Sequence, residues 1–245
     1  MAKVLLKGNE ALAEAALAAG CRFYSGYPIT PQTEILEYLS WRMEDVGGTF
    51  IQAESELAGI NMVLGAAAAG ARALTTSFSL KQEGISYLVA ADLPAVIVDV
   101  MRIGTGLGDI AQGQGDYWQL TRGGGHGDYR CLVFAPASVQ EFVDLMRPAY
   151  ELAEKYRVVS VMMGEATLGQ MMEPVTLPNF VEAERTPWAL NGHYTYKKIG
   201  IFERDSMKEA VELVDKYNTI RENEQRWEDE GLEDADYVFV SYGVP

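Results

Sequence analysis

The run Ala95-Val96-Ile97-Val98-Asp99-Val100-Met101 is apolar at every position but one. A strand that alternates polar and apolar residues can lie on a surface, but a continuous apolar run has to be covered on both faces. Shorter runs of strand type fall at residues 21–25, 49–53, 71–77, 130–135 and 158–163, and helical patterns at 11–19, 32–43, 55–70, 81–91 and 139–156. Strands alternating with helices in this way predict an α/β fold, a doubly wound parallel sheet with helices on both faces. Ligands of such sheets sit at the C-terminal ends of the strands. Tyr27-Pro28-Ile29-Thr30, Ser77 and Arg102 all follow predicted strands there.

The alternation stops near residue 174. Residues 174–187 read as a loop. Residues 206–230 read as a long charged helix with a solvated face, and 236–243 as a strand that opens a second α/β domain. The expected division is 1–175 for the main domain, 176–235 for a linker and helical arm, and 236–245 for the first strand of the next domain.

A net charge of −15 excludes nucleic acid and an anionic membrane surface as partners, since both need clustered Lys and Arg. It leaves a small molecule, or a protein with a basic docking face. The two cysteines, Cys21 and Cys131, make neither a disulfide framework nor a metal spacing. They suit a reducing cytoplasm and cannot hold an iron–sulfur cluster by themselves. No secretory leader is expected from the first residues, and no apolar run is long enough to span a bilayer.

Glu56 follows the strand 49–53 and opens a helix rich in Ala and Gly. A carboxylate at such a mouth is favoured by the helix dipole, and burial there would favour sharing a proton with a ring nitrogen. An acidic first helical turn is the common, non-functional reason for the same pattern. Two prolines stiffen Gly26-Tyr27-Pro28-Ile29-Thr30-Pro31. Thr30 is placed to cap the helix that follows, with Pro31 at its first position, or to offer its hydroxyl to a ligand. Arg102 is placed to hold a carboxylate in a bidentate fork, or to pair structurally with Asp99 or Asp109.

Gly104-Thr105-Gly106-Leu107-Gly108 has no Gly-Lys-Ser/Thr after it and no helix directly following, so it reads as a flexible loop rather than a phosphate cradle. His126, among the glycines of 123–127, is a candidate proton shuttle, and a purely backbone role for that loop stands beside it. No Gly-Asp-Gly followed by a distant Asn is found, so an anchor for thiamine diphosphate with Mg²⁺ is not expected on this chain.

Gly26-Tyr27-Pro28-Ile29-Thr30-Pro31, Glu54-Ser55-Glu56-Leu57-Ala58-Gly59, Ser79-Leu80-Lys81-Gln82-Glu83-Gly84-Ile85 and Gly124-Gly125-His126-Gly127-Asp128 together resemble the 2-oxoacid:ferredoxin oxidoreductases. The likeness is to the subunit carrying the thiamine pyrimidine-binding domain. Gln170-Met171-Met172-Glu173-Pro174 and the Lys81-Gln82-Glu83-Gly84 stretch look most like the 2-oxoisovalerate type, less like the 2-oxoglutarate or pyruvate types. The resemblance implies oxidative decarboxylation of a branched-chain 2-oxoacid to its acyl-coenzyme A, with electrons passing to ferredoxin. It implies thiamine diphosphate bound between subunits, with the diphosphate, Mg²⁺ and iron–sulfur sites on partner chains.

Carried over residue by residue, the proton-sharing carboxylate falls on Glu56. The cofactor-binding positions are Tyr27, Pro28, Ile29, Glu56 and Ser77. The substrate-binding positions are Thr30 and Arg102. Two segments depart from the family pattern by being shorter, one just after Ser77 and one near residues 191–193. The residues alone also admit another thiamine-dependent half-subunit, of decarboxylase or transketolase type, and a non-catalytic α/β binding subunit.

Overall fold

The computed structural model of the chain describes residues 3–77, 82–183, 186–190 and 205–244. In chain order the elements are β1 (Val4–Lys7), α1 (Gly8–Ala18), β2 (Phe23–Gly26), α2 (Thr33–Asp45), β3 (Thr49–Gln52), α3 (Glu56–Ala68), β4 (Ala73–Ser77), α4 (Gln82–Ala90), β5 (Ala95–Met101), α5 (Tyr117–Arg122), β6 (Leu132–Phe134), α6 (Val139–Tyr156), β7 (Val159–Glu165), α7 (Ala166–Gln170), β8 (Met172–Val175) and α8 (Ser206–Glu224). Six strands form one parallel sheet in the order β3-β2-β4-β5-β7-β6. The doubly wound sheet expected from the alternating pattern is therefore present.

Alternate side chains of each central strand enter opposite cores. Leu74, Val96, Val98, Val100 and Met162 pack with α1, α2 and α6. Ala73, Ala95, Ile97, Met101, Val159, Val161 and Met163 pack with α3 and α4. This explains why β5 is apolar at every position but Asp99: neither of its faces meets water, and all seven of its residues are buried. The Ala-rich α1 is buried at every position except Glu10, because the sheet, α2 and α6 surround it.

Several boundaries differ from expectation. Val4–Lys7 and Met172–Val175 pair as a small antiparallel sheet, with Leu5 opposite Pro174. Neither gave a strand signal, because a two-stranded edge ribbon needs no apolar run and tolerates a proline. Helix α2 begins at Thr33 with Gln32 at its N-cap, so Thr30 is not the cap and Pro31, joined to Thr30 by a cis peptide bond, is not its first residue. Helix α8 stops at Glu224 rather than 230. Glu228, Asp229 and Glu230 would place negative charge at the negative end of the helix dipole.

The strand expected at 236–243 is not formed. Phe239 and Val240 are 95% and 94% exposed, so no sheet edge is in place to accept their backbone groups. Its end is held by two contacts distant in sequence: the ring of Tyr242 stacks on Tyr117 at 5.0 Å, and the Val244 N–H donates to Glu165 Oε1.

Candidate functional site

The connection from β2 runs to β3 on one side, while β4 lies on the other side of β2 and leads away to β5. The sheet therefore reverses direction between β2 and β4. Those strands pair only at Phe23↔Ala73 and Tyr24↔Leu74, and beyond that point they part. The C-terminal ends Ser25-Gly26 and Thr75-Thr76-Ser77 thus lie on the two sides of the switch, and the crevice is the position between them. A topological switch of this kind is where open α/β sheets take their ligands.

Helix α3 leans over this crevice. A Cβ on Gly59 would lie 3.3 Å from the Ser25 carbonyl oxygen and 3.5 Å from both Gly26 Cα and Thr75 Oγ1, so only a residue without one fits without movement. Glu56 stands three residues earlier, on the same helical face and nearer the mouth. Its side chain is buried, with 8% of the residue exposed, and among the described residues its carboxylate makes no hydrogen bond or ion pair. Ser55 caps the helix, its Oγ accepting from the Ala58 N–H at 3.1 Å, so the first helical turn is fixed. Glu54, two residues before Glu56, is exposed.

The turn after β2 is held carbonyl by carbonyl. Gly26 O accepts from the Ala53 N–H, Tyr27 O from Gln32 Nε2, Ile29 O from the Gln32 N–H, Thr30 O from Arg102 Nη1 and Pro31 O from Asn9 Nδ2, at 2.8–3.1 Å. Thr30 is left exposed beside this frame. Asn9 also donates to Glu34 Oε2 at 2.9 Å, and Gln170 donates to Glu34 Oε1 at 2.8 Å. Burial alone would raise the Glu34 carboxyl. The bonds from Gln170 and Asn9 and the Lys7 ammonium outweigh it, and the group titrates below the ordinary carboxylate range.

The structure brings Glu56, the 27–31 turn, Ser77 and Arg102 to one end of the sheet, as the strand-end argument required. Arg102 lies just past β5 and is 7% exposed. Its guanidinium donates to the carbonyls of Thr30 and Leu107, so it ties the proline turn to the glycine loop. The Arg102 N–H lies 3.3 Å from Asp116 Oδ2. Ser77 is fully buried at the end of β4, opposite Asp99 of β5. His126 stands apart in an exposed loop, with its backbone N–H on Ser86 Oγ of α4.

Sequence reading missed Gln32, Thr76, Tyr24 and Asn9. All four are polar or half-polar residues at 0–1% exposure next to the turn. Polar residues inside predicted strands and at a helix start carry no chemical motif. Only their burial marks them.

A buried glutamate at the start of α3 and a rigid turn thus stand together at the switch point of a doubly wound α/β sheet. Residues 14–235 match the family of pyruvate flavodoxin/ferredoxin oxidoreductases, in the part described as thiamine-diphosphate-binding, and the chain belongs to that family. It is 51% identical over 255 positions to the ketoisovalerate oxidoreductase subunit VorB of Methanothermobacter thermautotrophicus, covering 100% of this chain and 72% of that protein. It is 37% identical over 277 positions to the 2-oxoglutarate synthase subunit KorA of Methanocaldococcus jannaschii, covering 98% of this chain and 75% of that one. Among solved structures, the 2-oxoglutarate:ferredoxin oxidoreductase from Magnetococcus marinus, with 2-oxoglutarate, coenzyme A and succinyl-CoA bound, superposes with a TM-score of 0.80 at 25% identity. That match covers 94% of this chain and 47% of the solved one, so the chain spans less than half of that structure.

The comparison with VorB runs over 255 positions against 245 residues here, so the relative carries residues this chain lacks. Of the two segments that read as short, the part just after Ser77 and residues 191–193 lie outside the described residues.

The residues present fit the pyrimidine end of thiamine diphosphate. Glu56, buried as a residue at the N-terminus of α3, presents a carboxylate that can accept from a protonated ring nitrogen, beside a turn whose carbonyls are already taken.

Proposed function

We propose that this chain forms the pyrimidine-binding half of the active site in a 2-oxoacid:ferredoxin oxidoreductase acting on a branched-chain 2-oxoacid. The observation that carries the proposal is Glu56, a buried carboxylate without a described partner at the mouth of the β2/β4 crevice. When bound, thiamine diphosphate supplies the carbon nucleophile and electron sink for decarboxylation. Glu56 holds a proton at N1′ of the aminopyrimidine. Backbone groups of Tyr27, Pro28 and Ile29, with Ser77, flank the ring. Thr30 offers its hydroxyl to the substrate. Arg102 receives the substrate carboxylate by exchanging the Leu107 carbonyl of the exposed loop for it.

The higher identity to the ketoisovalerate subunit than to the 2-oxoglutarate subunit supports a branched-chain substrate. Partner subunits supply the diphosphate and Mg²⁺ site and the iron–sulfur clusters, coenzyme A takes the acyl group and ferredoxin takes the electrons. Residues 1–175 act as the pyrimidine-binding domain and 176–235 as linker and arm. Both cysteines are free thiols, pushed up by burial to about 11 for Cys21 and about 12 for Cys131, which suits a reducing cytoplasm. No described helix is long and apolar enough to cross a membrane.

The test is cofactor C2 proton exchange and turnover in the complex reconstituted with its partner subunits. Glu56→Gln keeps the volume and removes the carboxylate, so both rates should fall roughly 10²- to 10⁴-fold. The exposed Glu54→Gln should leave them unchanged. Wild-type exchange in Glu56→Gln, or loss in Glu54→Gln instead, would refute the assignment.

A further inference from the structure

A chain of hydrogen bonds runs through the sheet to the back of the proline turn. Tyr24 Oη and Thr76 Oγ1 are 2.7 Å apart, Thr76 Oγ1 donates to Gln32 Oε1, and Gln32 Nε2 donates to the Tyr27 carbonyl at 2.9 Å. The direction is fixed from end to end. Only the amide nitrogen of Gln32 can serve a carbonyl, so its oxygen must face Thr76. The Thr76 proton is then committed to Gln32, and Tyr24 must donate to Thr76. Burial holds the Tyr24 phenol above its ordinary range, so it remains an O–H donor at every working pH. Aligned bonds of this kind polarise and strengthen one another in a medium without water.

Each member is locked in place. Tyr24 stacks on Phe50 at 5.6 Å, and its hydroxyl fills the space that a Cβ on Gly26 would need. Tyr24, Thr76 and Gln32 are all 0–1% exposed. Gln32 also uses its own backbone: its N–H donates to Ile29 O and its carbonyl accepts from the Ile35 N–H. One residue thus fixes two carbonyls on the turn between the crevice and Thr30.

We propose that Gln32, aligned by Thr76 and Tyr24, is a positioning residue that sets the aim of the 27–30 turn, and so of the Thr30 hydroxyl, toward the 2-oxoacid. This rests on the proposed role of the turn in the oxidoreductase site. The ionisable groups around the relay are Tyr24 on β2, Arg102 at the end of β5 and Glu34 on α2, the last held by Asn9 and Gln170.

The experiment uses the reconstituted complex, with 2-oxoisovalerate as the varied substrate. Gln32→Met keeps the side-chain volume and removes both amide bonds, so the Tyr27 carbonyl loses its buried donor. Substrate KM should rise about 10-fold or more, the range for leaving one buried polar group unpaired. Cofactor C2 proton exchange, measured without substrate at saturating thiamine diphosphate, should fall far less than in Glu56→Gln, because Glu56 is fixed by α3 while the turn that Gln32 holds only flanks the ring. That split separates the two readings: a slow exchange in Glu56→Gln tests the proton-sharing role, whatever Gln32→Met does.

Gln32→Glu gives the second arm. Its carboxylate can accept from Thr76, but its other oxygen then faces the Tyr27 carbonyl, lone pair against lone pair. Protonation turns that oxygen into a donor and restores the bond. The ratio of mutant to wild-type KM should therefore fall toward one as pH is lowered from about 8.5 to about 6, the direction expected of a buried carboxyl. A Gln32→Met KM within twofold of wild type, or a Gln32→Glu ratio flat with pH, overturns the proposal. If Gln32→Met fails to assemble, the pH profile of Gln32→Glu decides alone.

Discussion

Two loops meet at the C-terminal end of this sheet and are built in opposite ways. The 27–31 turn carries two prolines, and its carbonyls are taken by Gln32, Arg102 and Asn9. The 103–110 loop carries three glycines at positive φ, and its apolar side chains Ile103, Leu107 and Ile110 are 48%, 70% and 69% exposed. Its internal bonds are short-range: Gly108 N–H to Thr105 O at 2.9 Å and Asp109 N–H to Ile103 O at 2.7 Å. The first loop is positioned by the rest of the domain. The second is a self-made turn presenting an apolar rim outward. Rigidity here follows where backbone carbonyls find their donors, more than it follows proline or glycine content. Arg102 joins the two, which makes it the sharpest place to test the contrast.

Arg102→Met should have the largest effect, because the Thr30 and Leu107 carbonyls both lose a charged donor. A loss of about 2–4 kcal/mol in urea unfolding is expected, with the slope unchanged. Arg102→Lys should fall between, since a single ammonium cannot serve both carbonyls in the fork geometry. A loss below about 0.5 kcal/mol for Arg102→Met, a surface-substitution value, would mean the loops do not depend on the stitch.

Asn9→Leu attacks the proline turn alone. It removes the donor to Pro31 O and one of the bonds to Glu34 from a fully buried position. About 1–3 kcal/mol should be lost, and thermal unfolding should report it. The complementary change is Gly106→Ala, in the exposed loop. At φ +64 with open space around the added methyl, only backbone strain opposes it. That strain costs about 1–2 kcal/mol. Because the neighbouring Leu107 carbonyl accepts from Arg102, substrate KM should shift, but by less than in Gln32→Met; a shift as large would show that the two loops are one unit.

Acid gives the smallest effect. The folded-state titration of Glu34 lies below its ordinary value of 4.5. Its contribution is therefore complete above that value and is lost as pH falls through the depressed one. The slope of stability against pH below 4.5 should be shallower in Glu34→Gln than in wild type. Equal slopes would remove Glu34 from the support of the turn.

The layering and the end of the sheet that matters were legible in the residues. A nearly all-apolar β5 needs cover on both faces, and strands alternating with helices run parallel, so Tyr27, Glu56, Ser77 and Arg102 gather at one end. The sequence also marked Glu56 and the proline turn as unusual through their residue types and spacing. Tertiary structure alone decided which carboxylate is buried, since Glu54 precedes the Ser55 cap and faces solvent while Glu56 opens α3 and is covered. It likewise decided that Gln32 rather than Thr30 begins α2, and that residues 236–243 stay unpaired. These are properties of long-range partners. Thr76 lies 44 residues from Gln32, and Arg102 lies 72 from Thr30. Local propensity carries no record of a hydrogen bond across such a distance, because the donor and acceptor are brought together only by the packing of the sheet that both sequence segments help to build.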